Sequence, residues 1–159
     1  MKMKKSVLYL LLIVFAIVTL CTSCATIYKD DISSFSQIIT VENKTKDELF
    51  VSAASWFVDS FKDSKSVLEI SDKQSGLLKG KYTTEVAQGL TSMIIESIIT
   101  VETKDGKVRL TISNPTSIKD SYDYSSSPLT ENALNLYEAD RIATALSLEQ
   151  ALNSKPTNW

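Results

Sequence analysis

Histidine is absent from the 159-residue chain, and cysteine occurs only twice. Without histidine there can be no Ser-His-Asp or Cys-His catalytic arrangement, and the commonest transition-metal ligand is missing. Two cysteines are too few for a Cys-rich zinc or iron–sulfur site. Glycine and proline are also sparse, at four and three residues, so the chain is neither a low-complexity nor a repetitive sequence. Its 43% hydrophobic and 23% charged residues are the balance of an ordinary globular domain. One domain with a real core is expected at this length.

The residues that are present begin with an address. Lys2, Lys4 and Lys5 form a basic start. Val7 to Leu20 follows as 14 residues that are apolar apart from Thr19, and Cys21-Thr22-Ser23-Cys24 closes the run. A basic start, an apolar core of this length and small residues after it describe an export signal. Three outcomes compete. Thr22-Ser23-Cys24 resembles the lipobox of bacterial lipoproteins, which are cut just before the cysteine and acylated on it; Cys21 stands where that motif usually has leucine. Ser23-Cys24-Ala25 also has the small-x-small form of an ordinary signal-peptidase site. Finally, no residue from Ser6 to Tyr28 is charged, a stretch long enough to span a bilayer if left uncut. In each case the lysines stay in the cytoplasm and the rest is outside. The first reading expects a signal over residues 1–23 and a lipidated Cys24. Two or more acyl chains on that residue suffice for stable anchoring, at ~0.8 kcal/mol per buried methylene.

Cutting before Cys24 leaves 14 basic against 19 acidic residues, a net charge of −5. A chain this acidic has no basic stripe for a phosphate backbone, which speaks against nucleic-acid binding. With at most one cysteine left, no intrachain disulfide can form, and stability must come from packing.

Residues 24–36 read as a polar tether reaching at most ~40 Å, and residues 37–153 as one α+β domain, with 154–159 a frayed end. Phe35, Ile39 and Val41 alternate with polar residues as a first strand. Thr45-Lys46-Asp47-Glu48 is a capping box, followed at helical spacing by Leu49, Phe50, Ala53, Trp56, Phe57 and Phe61, with the helix ending near Lys62. Strands follow over Val67–Ser71 and Leu78–Val86, then over a long segment with Met93, Ile95, Ile99 and Val101 on one face, and over Val108–Ser113. Asp72 to Gly76, Gln88-Gly89 and Asp105-Gly106 supply the turns, the last expected as a type I′ hairpin. Four strands joined by tight turns predict an antiparallel meander with one face free for helices. Thr116 to Pro128 reads as a loop. A final helix runs from Pro128 or Thr130 to Leu152, with Leu134, Tyr137, Ile142, Ala145, Leu146 and Leu152 as its apolar stripe.

The stretch from Ile39-Thr40-Val41 through Lys46-Asp47-Glu48-Leu49-Phe50 and Trp56-Phe57 to Ser75-Gly76-Leu77-Leu78-Lys79-Gly80 resembles an uncharacterised family. This is domain of unknown function 4468, mostly envelope lipoproteins of the Bacteroides group with a TBP-like fold. The resemblance covers roughly residues 35 to 113. It implies that fold, with a meander sheet, one long helix after the first strand and a C-terminal helix packed on the same face. It implies no activity and no functional residues, and "TBP-like" describes shape alone.

The chain shows no phosphate-binding glycine loop and no Ser-x-x-Lys. Asp30-Asp31 and Asp120 with Asp123 do not match a calcium loop. Asn43-Lys44-Thr45 fits a glycosylation sequon but reads as a strand end entering a helix cap. Tyr122 and Tyr124, set among serines and aspartates, can stack on and hydrogen-bond to a sugar or peptide. The expectation is a non-enzymatic, lipid-anchored envelope module, in the outer membrane facing the periplasm or the surface, that uses no cofactor. An envelope protein or glycan is its expected partner, met by the sheet's exposed face or by the tyrosine loop. The alternatives are an uncleaved inner-membrane anchor, a purely structural lipoprotein, and a carboxylate-dependent glycan hydrolase. The last would need two acids about 5–10 Å apart in a cleft. Glu96 and Glu102 are the strand acids to inspect.

Overall fold

A computed structural model describes residues 26–61 and 68–154. The signal segment, Cys24, Lys62 and the C-terminal residues through Trp159 lie outside them. The elements run β1 (Thr26–Ile27), a 3-10 turn (Lys29–Asp31), β2 (Phe35–Thr40), α1 (Lys46–Ser60), β3 (Leu68–Asp72), β4 (Leu77–Gln88), β5 (Thr91–Lys104), β6 (Lys107–Ile112), β7 (Ser117–Asp120), β8 (Leu129–Thr130) and α2 (Glu131–Asn153). The main sheet is antiparallel in the order β2-β6-β5-β4-β3, with β7 paired to the first half of β5 beyond the end of β6. This is the expected α+β meander, with both helices on one face.

Strand alternation explains which face is covered. Met93, Ile95, Ser97, Ile99, Val101 and Thr103 of β5 are all buried beneath the helices. Their cross-strand neighbours Leu78, Tyr82 and Val86 of β4, and Val108, Leu110 and Ile112 of β6, extend the same apolar layer. Against it α1 lays Leu49, Phe50, Ala53, Trp56 and Phe57, a stripe at helical spacing. Trp56 and Phe57 meet edge to face at 6.0 Å, and Phe61 closes on Tyr82 at 6.3 Å.

The start of α1 is held as its sequence predicts. Thr45 Oγ1 accepts from the Glu48 N–H, and Glu48 Oε2 accepts from the Thr45 N–H at 2.8 Å. The hairpin between β5 and β6 departs from the type I′ expectation. Only Gly106 of the Asp105-Gly106 pair has a positive φ, 70°. The Asp105 carboxylate instead accepts from the Lys46 N–H at 2.6 Å, so the hairpin tip serves as a second cap on α1.

Three further readings need correction. The segment read as a tether is folded from Thr26 onward: Thr26 pairs with Thr130, Ile27 with Leu129, and Ile32 is buried. Two-residue pairing of this kind is a tertiary contact with no local periodicity to reveal it. The stretch read as a loop from Thr116 contains β7, whose Ile118 fills the core beside Ile95. In α2 the buried stripe is Ala133, Tyr137, Arg141, Ala145, Leu148 and Leu152, while Ile142 and Leu146 are half exposed.

Arg141 takes a core position because its charge is met. Its guanidinium donates to the Ser33 carbonyl at 2.9 Å and to the Glu138 carboxylate, and it lies over the Tyr137 ring at 4.7 Å. Only Nε lacks a partner. Below it, the hydroxyls of Ser97 and Tyr137 share a buried hydrogen bond of 2.8 Å that ties the centre of β5 to α2. Tyr137→Phe strands the Ser97 hydroxyl and is expected to cost about 1–2 kcal/mol in urea unfolding. Adding Ser97→Ala removes the stranded group, so the double variant should be more stable than Tyr137→Phe alone.

Candidate functional site

Three surfaces could carry function. The first is the face of the sheet that no helix covers. There Ile94, Glu96, Ile98, Thr100 and Glu102 of β5 alternate with the buried residues, flanked by Lys79 and Lys81 of β4 and by Arg109 and Thr111 of β6. Ile94 and Ile98 are half buried, and Ile38 on neighbouring β2 is 59% exposed. Two ion pairs lie on this face. Arg109 Nη1 lies 3.3 Å from Glu102 Oε2, and Lys119 Nζ lies 3.6 Å from Glu96 Oε2. The result is an apolar strip edged by charged side chains, two pairs of them bridged.

Glu96 and Glu102 do not form a hydrolase pair. They sit six residues apart on one strand, about 20 Å at strand rise, well beyond the spacing of paired catalytic carboxylates. Ser117 Oγ also donates to Glu96 at 2.7 Å, and this bond, with Lys119, holds the carboxyl below its ordinary range. A general acid requires the opposite shift.

The second surface is a groove of about 900 Å³ between α1 and the C-terminal half of α2. Several of its polar groups serve the fold. Lys44 Nζ caps the Leu152 carbonyl at the end of α2, Glu48 belongs to the capping box, Lys73 pairs with Asp47 at 3.2 Å, and Trp56 Nε1 donates to Ser147 Oγ at 3.0 Å. Nearby, the Tyr82 hydroxyl donates to the Asp140 carboxylate, and burial together with that carboxylate pushes the phenol well above its ordinary pKa. Burial likewise raises Tyr137. Both phenols are therefore neutral structural ties between the sheet and α2.

The third surface is the pole where the β4–β5 turn, the 121–128 loop and the first described residues meet. Tyr122 is 89% exposed and Tyr124 is 67% exposed with φ 58°. Their loop is tightly held. Asp120 Oδ1 accepts from the Tyr122 N–H at 2.7 Å, and the Asp120 carbonyl accepts from the Tyr124 N–H at 3.0 Å. Ser125, through its hydroxyl and its N–H, lowers the Asp123 pKa. The two tyrosines are exposed to solvent on a loop held by these bonds.

No group of three or more acidic or cysteine side chains able to hold a metal ion occurs among the described residues. No helix among them is long and apolar enough to cross a membrane.

A two-layer fold of this kind, with a meander sheet carrying one helix after its first strand and another at its end, is the TBP-like architecture. The family described as a domain of unknown function (DUF4468) with TBP-like fold matches residues 35–117, and the chain belongs to it. Among solved structures, a TBP-like protein from Parabacteroides distasonis superposes with a TM-score of 0.60 at 15% identity, covering 77% of this chain and 94% of that one. A DUF4468 family protein from Bacteroides ovatus superposes with a TM-score of 0.54 at 12% identity, covering 87% and 95%. At these identities the likeness is one of fold. No curated protein matches the chain.

Proposed function

We propose that this chain is a lipid-anchored, non-enzymatic binding module of the bacterial cell envelope, held in the membrane through Cys24. Its sheet presents the uncovered face to an envelope protein or glycan. The observation that carries the anchor is the sequence Thr22-Ser23-Cys24 at the end of a 14-residue, largely apolar run preceded by three lysines. The uncovered strip of Ile38, Ile94 and Ile98 supports the binding face, since such a surface offers apolar area to bury within a charged rim. Glu96 and Glu102, the acids of the long strand, lie too far apart for the paired carboxylates of glycan hydrolysis.

Cys24→Ser tests the anchor. In cells fed a labelled fatty acid, the variant is expected to take up no label and to accumulate as uncut precursor. A Cys24→Ser chain that is still processed and still sediments with membranes would overturn the lipid anchor. Crosslinking through a photoreactive residue at Ile98 tests the face. A stoichiometric partner supports it, and labelling no greater than from a probe in the α1–α2 groove contradicts it.

A further inference from the structure

The anchor proposed above has a consequence for how the domain sits, and the inference here rests on that reading. Thr26, two residues past Cys24, is already paired with Thr130 in β8. Two extended residues reach about 7 Å, so an acyl chain on Cys24 brings this pole of the fold to the headgroups. The same pole carries four exposed large side chains. Leu90, at the β4–β5 turn, is fully exposed, and Tyr28, Tyr122 and Tyr124 are 59%, 89% and 67% exposed.

These residues share one rigid platform. Gln88 donates through Nε2 to the Pro128 carbonyl at 3.2 Å and accepts through Oε1 from the Thr130 N–H at 2.8 Å, joining the β4–β5 turn to β8. The Ser121 N–H donates to the Ser92 carbonyl at 2.9 Å, joining that turn to the tyrosine loop. Tyr28 lies beside Ser126, Ser127 and Pro128 around a shallow hollow. The chain's entry point, one leucine and three tyrosines therefore project from the same end.

We infer that this pole is a membrane-facing surface. Leu90, Tyr28, Tyr122 and Tyr124 seat in the headgroup layer and fix the domain's orientation, with the sheet's open face standing clear of the bilayer. Tyrosine suits that layer because its ring is apolar and its hydroxyl remains hydrogen-bonded to water or headgroup. The pole carries Asp30, Asp31, Asp120 and Asp123 against Lys29, so attraction to anionic lipid is not the source of the contact. Seating should accordingly not weaken as salt is raised.

The experiment uses the acylated protein in vesicles of phosphatidylethanolamine and phosphatidylglycerol. The mature chain has no cysteine besides Cys24, so a cysteine introduced at one position is the sole free thiol. Nitroxide labels at Leu90→Cys and Tyr122→Cys are compared with one at Lys104→Cys, on the hairpin tip at the far end of β5. The expected result is that collision with an aqueous nickel complex, relative to collision with oxygen, is at least about threefold lower at 90 and 122 than at 104, at both low and high salt. Equal ratios at the three positions on a chain whose N-terminal peptide is acylated would overturn the orientation and leave the anchor standing. An unacylated peptide on a chain that does not bind vesicles would overturn both.

Discussion

Gly76→Ala is expected to destabilise the domain by about 3 kcal/mol, lowering its thermal midpoint by roughly 10 °C. Gly76 has a φ of +76°, and a Cβ there would fall 2.6 Å from the Thr103 carbonyl oxygen and 2.7 Å from its Oγ1. Neither contact can relax cheaply. The Thr103 N–H donates to the Gly76 carbonyl at 2.8 Å, and the Thr103 side chain is buried. The new methyl group must push apart β5 and the turn that enters β4, or break the bond between them. Gly89→Ala is the control, because Gly89 has a φ of +64° but nothing within 4 Å of the added carbon. It should cost only the left-handed backbone term, about 1 kcal/mol. Urea midpoints of the two variants separate steric clash from conformational strain, and equal losses would show that the approach of Thr103 does not matter.

The second large effect concerns Arg141. Arg141→Ala should cost about 3 kcal/mol, because it removes a long side chain packed over the Tyr137 ring and leaves the Ser33 carbonyl without its donor. Arg141→Met keeps the apolar stem and is expected to lose about 1 kcal/mol. Glu138 is 40% exposed and can be hydrated when its partner goes, so the difference between the variants reports packing rather than a stranded charge. Hydrogen exchange carries the more specific signature. Ser33 lies just before β2, and Arg141 is its tie to α2. Amides of the first described residues, Thr26 to Ile32, should exchange faster in Arg141→Ala, while those of β5 keep their order of protection. Uniform acceleration across the domain would show that Arg141 acts on global stability alone.

Both effects bear on what could be read from the sequence. The Asp72–Gly76 turn was legible because aspartate, serine and glycine cluster between two apolar runs. That Gly76 is pressed against Thr103 was not, since the contact joins residues 27 apart. The odd-numbered face of β5 and the Thr45–Glu48 capping box were legible because each depends on near neighbours. In α2, a hydropathy-led stripe favoured Ile142 and Leu146 over the charged Arg141. The spacing did carry a signal, since Arg141 stands four residues from both Tyr137 and Ala145 on the buried face. The short strand at Thr26 and the β7 strand carry no such local signal, because polar segments of two to four residues form strands only when a partner is in place.

The candidate surfaces divide in the same way. The sheet's free face followed from counting two helices against one meander. Tyr122 and Tyr124 were marked by composition, but their company with Leu90 and Tyr28, and with the chain's entry point, depends on tertiary contacts through Gln88 and Ser121. Sequence placed the tyrosines in a sugar- or peptide-binding loop. The fold places them at the end where Thr26 enters the domain, and the lipid surface proposed above is the partner that position suggests.

The intact mass of the protein extracted from its own cells tests the central claim most directly. The account predicts a chain that begins at Cys24 and carries the added mass of a diacylglyceryl group and a further acyl chain. A chain that begins at Thr26 with no added mass, or one that still begins at Met1, would contradict it.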